Sequence, residues 1–284
     1  MSGSCNQRND CYRRCRVVHK MLYSTCMWRT WKIWVGLILA IILIAGIGFF
    51  KLGGGAGSID IEKPKQFIQA EFIDLSRIGS VSKYRSGAGH DYAANGETCR
   101  SMKHYFTPIT DPTNNWRRNS TNGLPPPPDG KTDIPIYSPV DGKITSVSEE
   151  QTPIGKQVWI RSDNAPEYKI RLFHIYLSDG IDSGTRVKAG QQIGVIGAQQ
   201  GTDIAIEGLA PWTKQAVSYF QVLPDNLFRA YIDRGLKNRE DFIISASERD
   251  ANPLQCNGEQ FVRSNSYDES SDEVQLTGYV EPTQ

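Results

Sequence analysis

Residues 134–147 read IPIYSPVDGKITSV, two strand-like runs about a single turn. Apolar side chains alternate on both sides of Asp141-Gly142, a dipeptide that reverses the chain between two strands. The pattern continues outward. QVWIR at 157–161, YKIRLFHI at 168–175 and DIAIE at 203–207 are further alternating runs, and VKAGQQIGVIG at 187–197 adds two short strands. Short alternating runs between glycine turns predict an antiparallel sheet built of hairpins. Helical spacing is confined to 216–237, where Tyr219, Phe220, Leu223, Leu227, Tyr231 and Ile232 form an apolar stripe interrupted near Pro224. The expected class is mainly β, an antiparallel barrel or sandwich hybrid with a small C-terminal helical addition.

The N-terminal end reads differently. Residues 33–50, IWVGLILAIILIAGIGFF, are 18 uncharged residues in succession. As a helix they span about 27 Å, near the thickness of a bilayer's hydrocarbon core, and no polar face interrupts them. Seven basic residues against Asp10 give 1–32 a charge of about +6 within a chain of net +1. That bias, with Trp28, Trp31 and Trp34 at the flank, predicts a single-pass, uncleaved signal anchor in the cell membrane. The expected division is a cytoplasmic basic tail at 1–32, the span at 33–50, a flexible linker at 51–65, an extracytoplasmic domain at 66–262 and an acidic disordered tail at 263–284. The negative balance of the exterior argues against nucleic acid as a partner.

Cys5, Cys11, Cys15 and Cys26 fall on the cytoplasmic side at gaps that match no zinc-finger spacing. Cys99 and Cys256 are alone outside, where two cysteines most simply form a disulfide; two buried free thiols are the alternative. Residues 107–133 include NNWRRNSTNG and PPPP, the composition of a surface loop, with a glycosylation sequon at Asn119.

SPVDGKI at 138–144, VWI at 158–160, FHIYL at 173–177, GTRVKAGQQIGVIG at 184–197 and GTDIAIE at 201–207 follow one another in an order that resembles the lysostaphin or LytM-type zinc metallopeptidases, which cut peptidoglycan. The resemblance covers roughly 84–208. Lipoyl-type carriers share its glycine turns, with Lys143 and Lys188 as the lysines such a carrier would need. The family holds zinc with an HxxxD motif and an HxH motif, helped by a His in a YxHL segment. Carried over, Asp91 matches the metal Asp, but Gly87 stands where the first His belongs and His90 lies beside it. His174 matches the helper position, with Leu172 in place of the usual Tyr. Asp203 replaces one His of HxH, and Ala205 replaces the one that binds metal.

Alternation puts Asp203, Ala205 and Glu207 on one strand face, and a methyl group offers zinc no lone pair. The resemblance therefore implies a degenerate site with no cofactor expected, in a protein that binds cell-wall peptide or scaffolds a partner hydrolase. The alternative is an active zinc endopeptidase with a rearranged ligand set. Its metal ligands would come from His90, Asp91 and Asp203, with His174 and Asp203 as catalytic groups. Each residue also has a plainer reading: His90-Asp91 as a hydrogen-bonded turn, His104 as an aromatic-cluster residue, His174 as a core histidine.

Overall fold

Alternation carries the chain into strands from Ile78 onward. The computed structural model describes residues 35, 59–109, 124–150, 154–210, 212–262 and 272–277. The chain divides into two compact units, 1–55 and 56–284. Apart from Val35, the expected membrane segment lies outside the described residues, as does Asn119. Among the described residues no helix is long and apolar enough to cross a membrane.

The second unit is mainly β. Its central strands are β1 (Ile78–Ser82), β2 (His104–Pro108), β3 (Ile134–Tyr137), β4 (Gly142–Glu149), β5 (Lys156–Ser162), β6 (Tyr168–Leu177), β7 (Arg186–Val187), β8 (Gln192–Ile196), β9 (Thr202–Gly208) and β10 (Gln215–Val217). A hairpin of β11 (Cys256–Asn257) and β12 (Gln260–Phe261) stands apart, and β13 (Glu273–Gln275) closes the main sheet. The order is β13-β1-β2-β9-β6-β5-β4-β7, with β10 beside β9 and the β3–β8 pair joined through the far end of β6. These pairings are antiparallel, as hairpin turns require.

Period-two burial places the two faces in different surroundings. Ile170, Leu172, Ile204 and Ile206 enter the main core, whereas Phe173 and Ala205 join Tyr84, Tyr92, Met102 and Ala216 in a second cluster. The C-terminal addition is helical but more broken than expected: β10 takes the start of the stripe, and helices Tyr219–Val222 and Asp225–Ile232 flank Pro224. Pro224 has no N–H to continue the first helix and opens the second. A further helix, Ala246–Ala251, follows. The Tyr219 and Tyr231 hydroxyls donate to Glu71 Oε2 at 3.0 and 2.9 Å, tying this addition to the N-terminal segment.

Two expected boundaries shift. Within the expected linker, Ile59 is buried and its N–H donates to Gln215 Oε1 at 3.1 Å, so packing begins before residue 66. Within the expected disordered tail, 272–277 are ordered. Asp272 pairs with Arg249 at 2.7 Å, Ser80 Oγ donates to Glu273 at 3.1 Å, and Leu276 is buried. Acidic composition concealed an edge strand because its carboxylates find cationic and hydroxyl partners. The expected loop at 107–133 likewise loses Thr107 and Pro108 to β2.

Candidate functional site

Ala205 lies in the middle of β9, opposite Arg171 of β6, and β2 runs along the other edge of β9 with Tyr105 opposite Asp203. Side chains of one parity from these three strands therefore share a face. Lys103 reaches that face from the residue just before β2, and its ammonium meets Asp203 Oδ2 at 2.5 Å. Both side chains are almost wholly enclosed, at 1% and 0% exposure. The ring of Phe173 lies 4.2 Å from Lys103 Nζ, with those of Tyr105 and Tyr92 at 4.7 and 5.1 Å, so the cation sits in an aromatic cage. Gly89, at φ +68°, makes room for that cage, since a Cβ there would overlap the Tyr105 hydroxyl.

His174 reaches the same cluster because of a bulge. Parity counted from Ile170 and Leu172 would send His174 into the main core. Instead Lys156 pairs with Ile175 and Val158 with Leu172, which leaves Phe173 and His174 together opposite Gln157. His174 adopts φ 63°, and the extra residue turns it toward Asp203. Gly155 permits this, because a Cβ there would lie 2.7 Å from the His174 carbonyl carbon. His174 Nε2 then stands 3.1 Å from Asp203 Oδ1, and Nδ1 stands 3.3 Å from Glu150 Oε1. The result is a chain of alternating charge, Lys103, Asp203, His174 and Glu150.

The electrostatics follow from that order. Burial alone would raise the Asp203 pKa, but Lys103 and His174 outweigh it and hold the carboxyl far below its usual range. Burial alone would lower Lys103, yet Asp203 shifts it upward overall. For His174 the same contest ends with the imidazole raised to about 9 by Asp203 and Glu150. A histidine protonated at neutral pH has no lone pair free to act as a base.

This shift predicts a pH dependence. The folded pKa of about 9 lies above the unfolded value of 6.5, so the stabilisation is complete below pH 6.5 and lost as pH rises through 9. The shift corresponds to about 3 kcal/mol. Urea unfolding of the wild type and His174→Gln at pH 6 and pH 9.5 measures it. The stability difference between them is expected to shrink by up to that amount.

The two other described histidines are engaged elsewhere. His104 is fully buried; its ring nitrogens lie 2.8 Å from the Ser82 carbonyl oxygen and 2.8 Å from Ser218 Oγ, and burial lowers its pKa to about 4. It ties β1 to the cap of the helix at Tyr219. His90 Nδ1 donates to the Asp91 carbonyl oxygen at 2.8 Å, leaving Nε2 to face Lys103 Nζ at 3.3 Å. Burial and the Lys103 charge hold its pKa down. The Asp91 carboxylate turns to the backbone instead and accepts from Arg100 N–H at 3.0 Å. Cys99 and Cys256 form a disulfide.

The zinc site implied by the resemblance does not fit these residues. Ala205 presents a methyl group, Asp91 is engaged on Arg100, and the Lys103 ammonium lies between Asp203 and His90, where a divalent ion would be repelled. Among the described residues no group of three His, Cys, Asp or Glu is gathered to hold a metal. Lys103, Glu150, Tyr92 and Tyr105 belong to the cluster and were missed in the sequence. The available signal was the shared parity of Lys103 and Tyr105 beside the apolar His104 and Phe106 face.

A second group adjoins the first on the same face of β6 and β9. Glu207 accepts from the Tyr92 hydroxyl, pairs with Lys169 at 2.8 Å and lies 4.0 Å from Arg171. Burial would raise its pKa, but Lys169 and Tyr92 hold it low.

No family model matches the chain, and no curated protein does. Among solved structures it is similar to a zinc-containing peptidase from Vibrio cholerae, with 17% identity and a TM-score of 0.36 over 57% of this chain and 41% of that one. It is also similar to Csd3 from Helicobacter pylori, at 14% identity and a TM-score of 0.37 over 75% and 48%. The catalytic domain of the antimicrobial peptidase lysostaphin from Staphylococcus simulans is a third, at 15% identity and 0.31 over 49% and 88%. The chain spans under half the length of the first two.

Proposed function

We propose that this chain is a membrane-anchored, extracytoplasmic protein of the lysostaphin or LytM peptidase type whose cleft has lost zinc chemistry and serves binding. The cleft holds cell-wall peptide or a partner hydrolase. One observation carries the reading: a buried ammonium, Lys103, is locked to Asp203 on the face where the family motif would place its metal. Such an ammonium supplies the positive charge that a cluster of buried acidic and imidazole groups needs, but it cannot activate a water as a Lewis acid does. The apolar run at 33–50 and its basic flank support the anchor and the orientation.

The test uses the full-length chain purified without chelator. Elemental analysis is expected to find no stoichiometric zinc, and peptidoglycan sacculi are expected to retain the protein without release of cleaved peptide. Stoichiometric zinc that disappears in Asp203→Ala, together with cleavage of wall peptide, would overturn the reading in favour of a rearranged endopeptidase.

A further inference from the structure

Beside the Lys103 cluster, a depression of about 650 Å³ opens along β5, β6 and β9 and is bordered by Leu209, Ala210 and Trp212–Lys214. Lys169, Arg171 and Lys214 bring three cations to it and Glu207 a single carboxylate. That carboxylate is engaged at 2.8 Å with Lys169 and anchored by the Tyr92 hydroxyl. Arg171 is held by neutral oxygens: Nη1 donates to Tyr92 Oη at 3.1 Å, and Nε to Gln157 Oε1 at 3.1 Å. Its guanidinium lies over the Trp159 and Phe173 rings at 4.6 and 4.5 Å. Lys214 rests on the Tyr92 ring at 3.2 Å, with no carboxylate in ion-pair contact among the described residues.

The pocket therefore carries a positive excess at neutral pH. Arg171 donates to neutral oxygens, and the carboxylate nearest it, Glu207 at 4.0 Å, is shared with Lys169 and the Tyr92 hydroxyl, which leaves cationic charge to receive an anion. Trp212 stands at the rim with 92% of its surface in solvent, and the half-buried Trp159 faces the same space. Indoles placed this way add a flat apolar contact beside the charged one.

We infer that this pocket is a carboxylate-binding site for a short peptide, with Arg171 and Lys214 receiving the carboxylate and Trp212 covering the chain next to it. That the carrier is a peptide rests on the proposed binding function; the demand for an anion rests on the pocket alone. The carboxylate comes from a chain terminus or from an acidic side chain, and the two sources are separable.

Calorimetric titration of the full-length protein tests the site with three probes: an N-acetylated pentapeptide of small neutral residues ending in a free carboxylate, its C-terminal amide, and the amide with a central Glu. The free acid or the Glu peptide is expected to bind at least tenfold more tightly than the neutral amide, the margin typical of a hydrogen bond to a charged group. Which of the two shows the preference identifies the source. Lys214→Gln, at the exposed rim, is expected to remove most of that preference by weakening the acidic probe. Trp212→Ala is expected to weaken all three probes alike. Equal binding of the acidic and neutral probes, or a preference that survives Arg171→Gln/Lys214→Gln in a folded protein, would overturn the inference. Sacculus binding without any acid preference would leave the binding function standing and remove this site. Acid preference in a chain that cleaves wall peptide would do the reverse.

Discussion

Asp203→Ala is expected to cost about 3–5 kcal/mol of unfolding free energy, the range for removing one partner of a buried ion pair. The carboxylate faces two cationic groups, Lys103 at 2.5 Å and His174 at 3.1 Å, and the alanine would leave both without it. Lys103 has the most to lose. At 1% exposure, water cannot replace the lost counter-charge, and the surrounding aromatic rings repay only part of the desolvation. Lys103→Met is expected to cost less, because Asp203 keeps His174 as a counter-charge. Lys103→Met/Asp203→Leu is expected to recover most of the loss, since an apolar pair of similar volume carries no desolvation cost. Urea denaturation of Lys103→Met, Asp203→Leu and the double variant, at neutral pH, yields the coupling directly. A loss below about 1 kcal/mol for Asp203→Ala would show that the cluster does not hold the cleft together.

Opening the Cys99–Cys256 disulfide is expected to have an effect of similar size. The bond links residues 157 apart, and closing so long a loop removes about 5 kcal/mol of denatured-state entropy in the chain-entropy model. It also joins the segment that carries His90 and Lys103 to the β11–β12 hairpin, where the Glu259 carbonyl accepts from Asp91 N–H at 2.7 Å. Cys99→Ser/Cys256→Ser is therefore expected to lower the urea midpoint and to loosen the 84–103 region first, read as faster amide exchange there. An unchanged midpoint in the double variant, or in wild-type protein after reduction, would show that the non-covalent packing of the two segments suffices.

The strand runs at 134–147, 157–161, 168–175 and 203–207 were legible because alternation and Asp-Gly or glycine turns are properties of consecutive residues. β1 and β13 were not: β1 is serine-rich and becomes a strand between β13 and β2, and the three residues of β13 become one by pairing with β1. Gly87, Asp203 and Ala205 disclosed the departure from the zinc motif, because each is read at its own position in the sequence. What fills the face beside it was invisible, because Lys103 precedes Asp203 by 100 residues.

His174 shows why. Sequence parity assigns it to the core face with Ile170 and Leu172, and its flanking residues are apolar enough to agree. The bulge opposite Gln157 inserts one residue, reverses the parity and delivers the imidazole to Asp203. Which side chains share a face within each uninterrupted strand is legible in consecutive residues, since that follows from backbone geometry two residues at a time. Which faces meet is set in folding, because the order of β2, β9 and β6 and the register slip in β6 depend on contacts between residues far apart in the chain. The charged cluster exists where those non-local choices bring a cation, a carboxylate and an imidazole into one dry space.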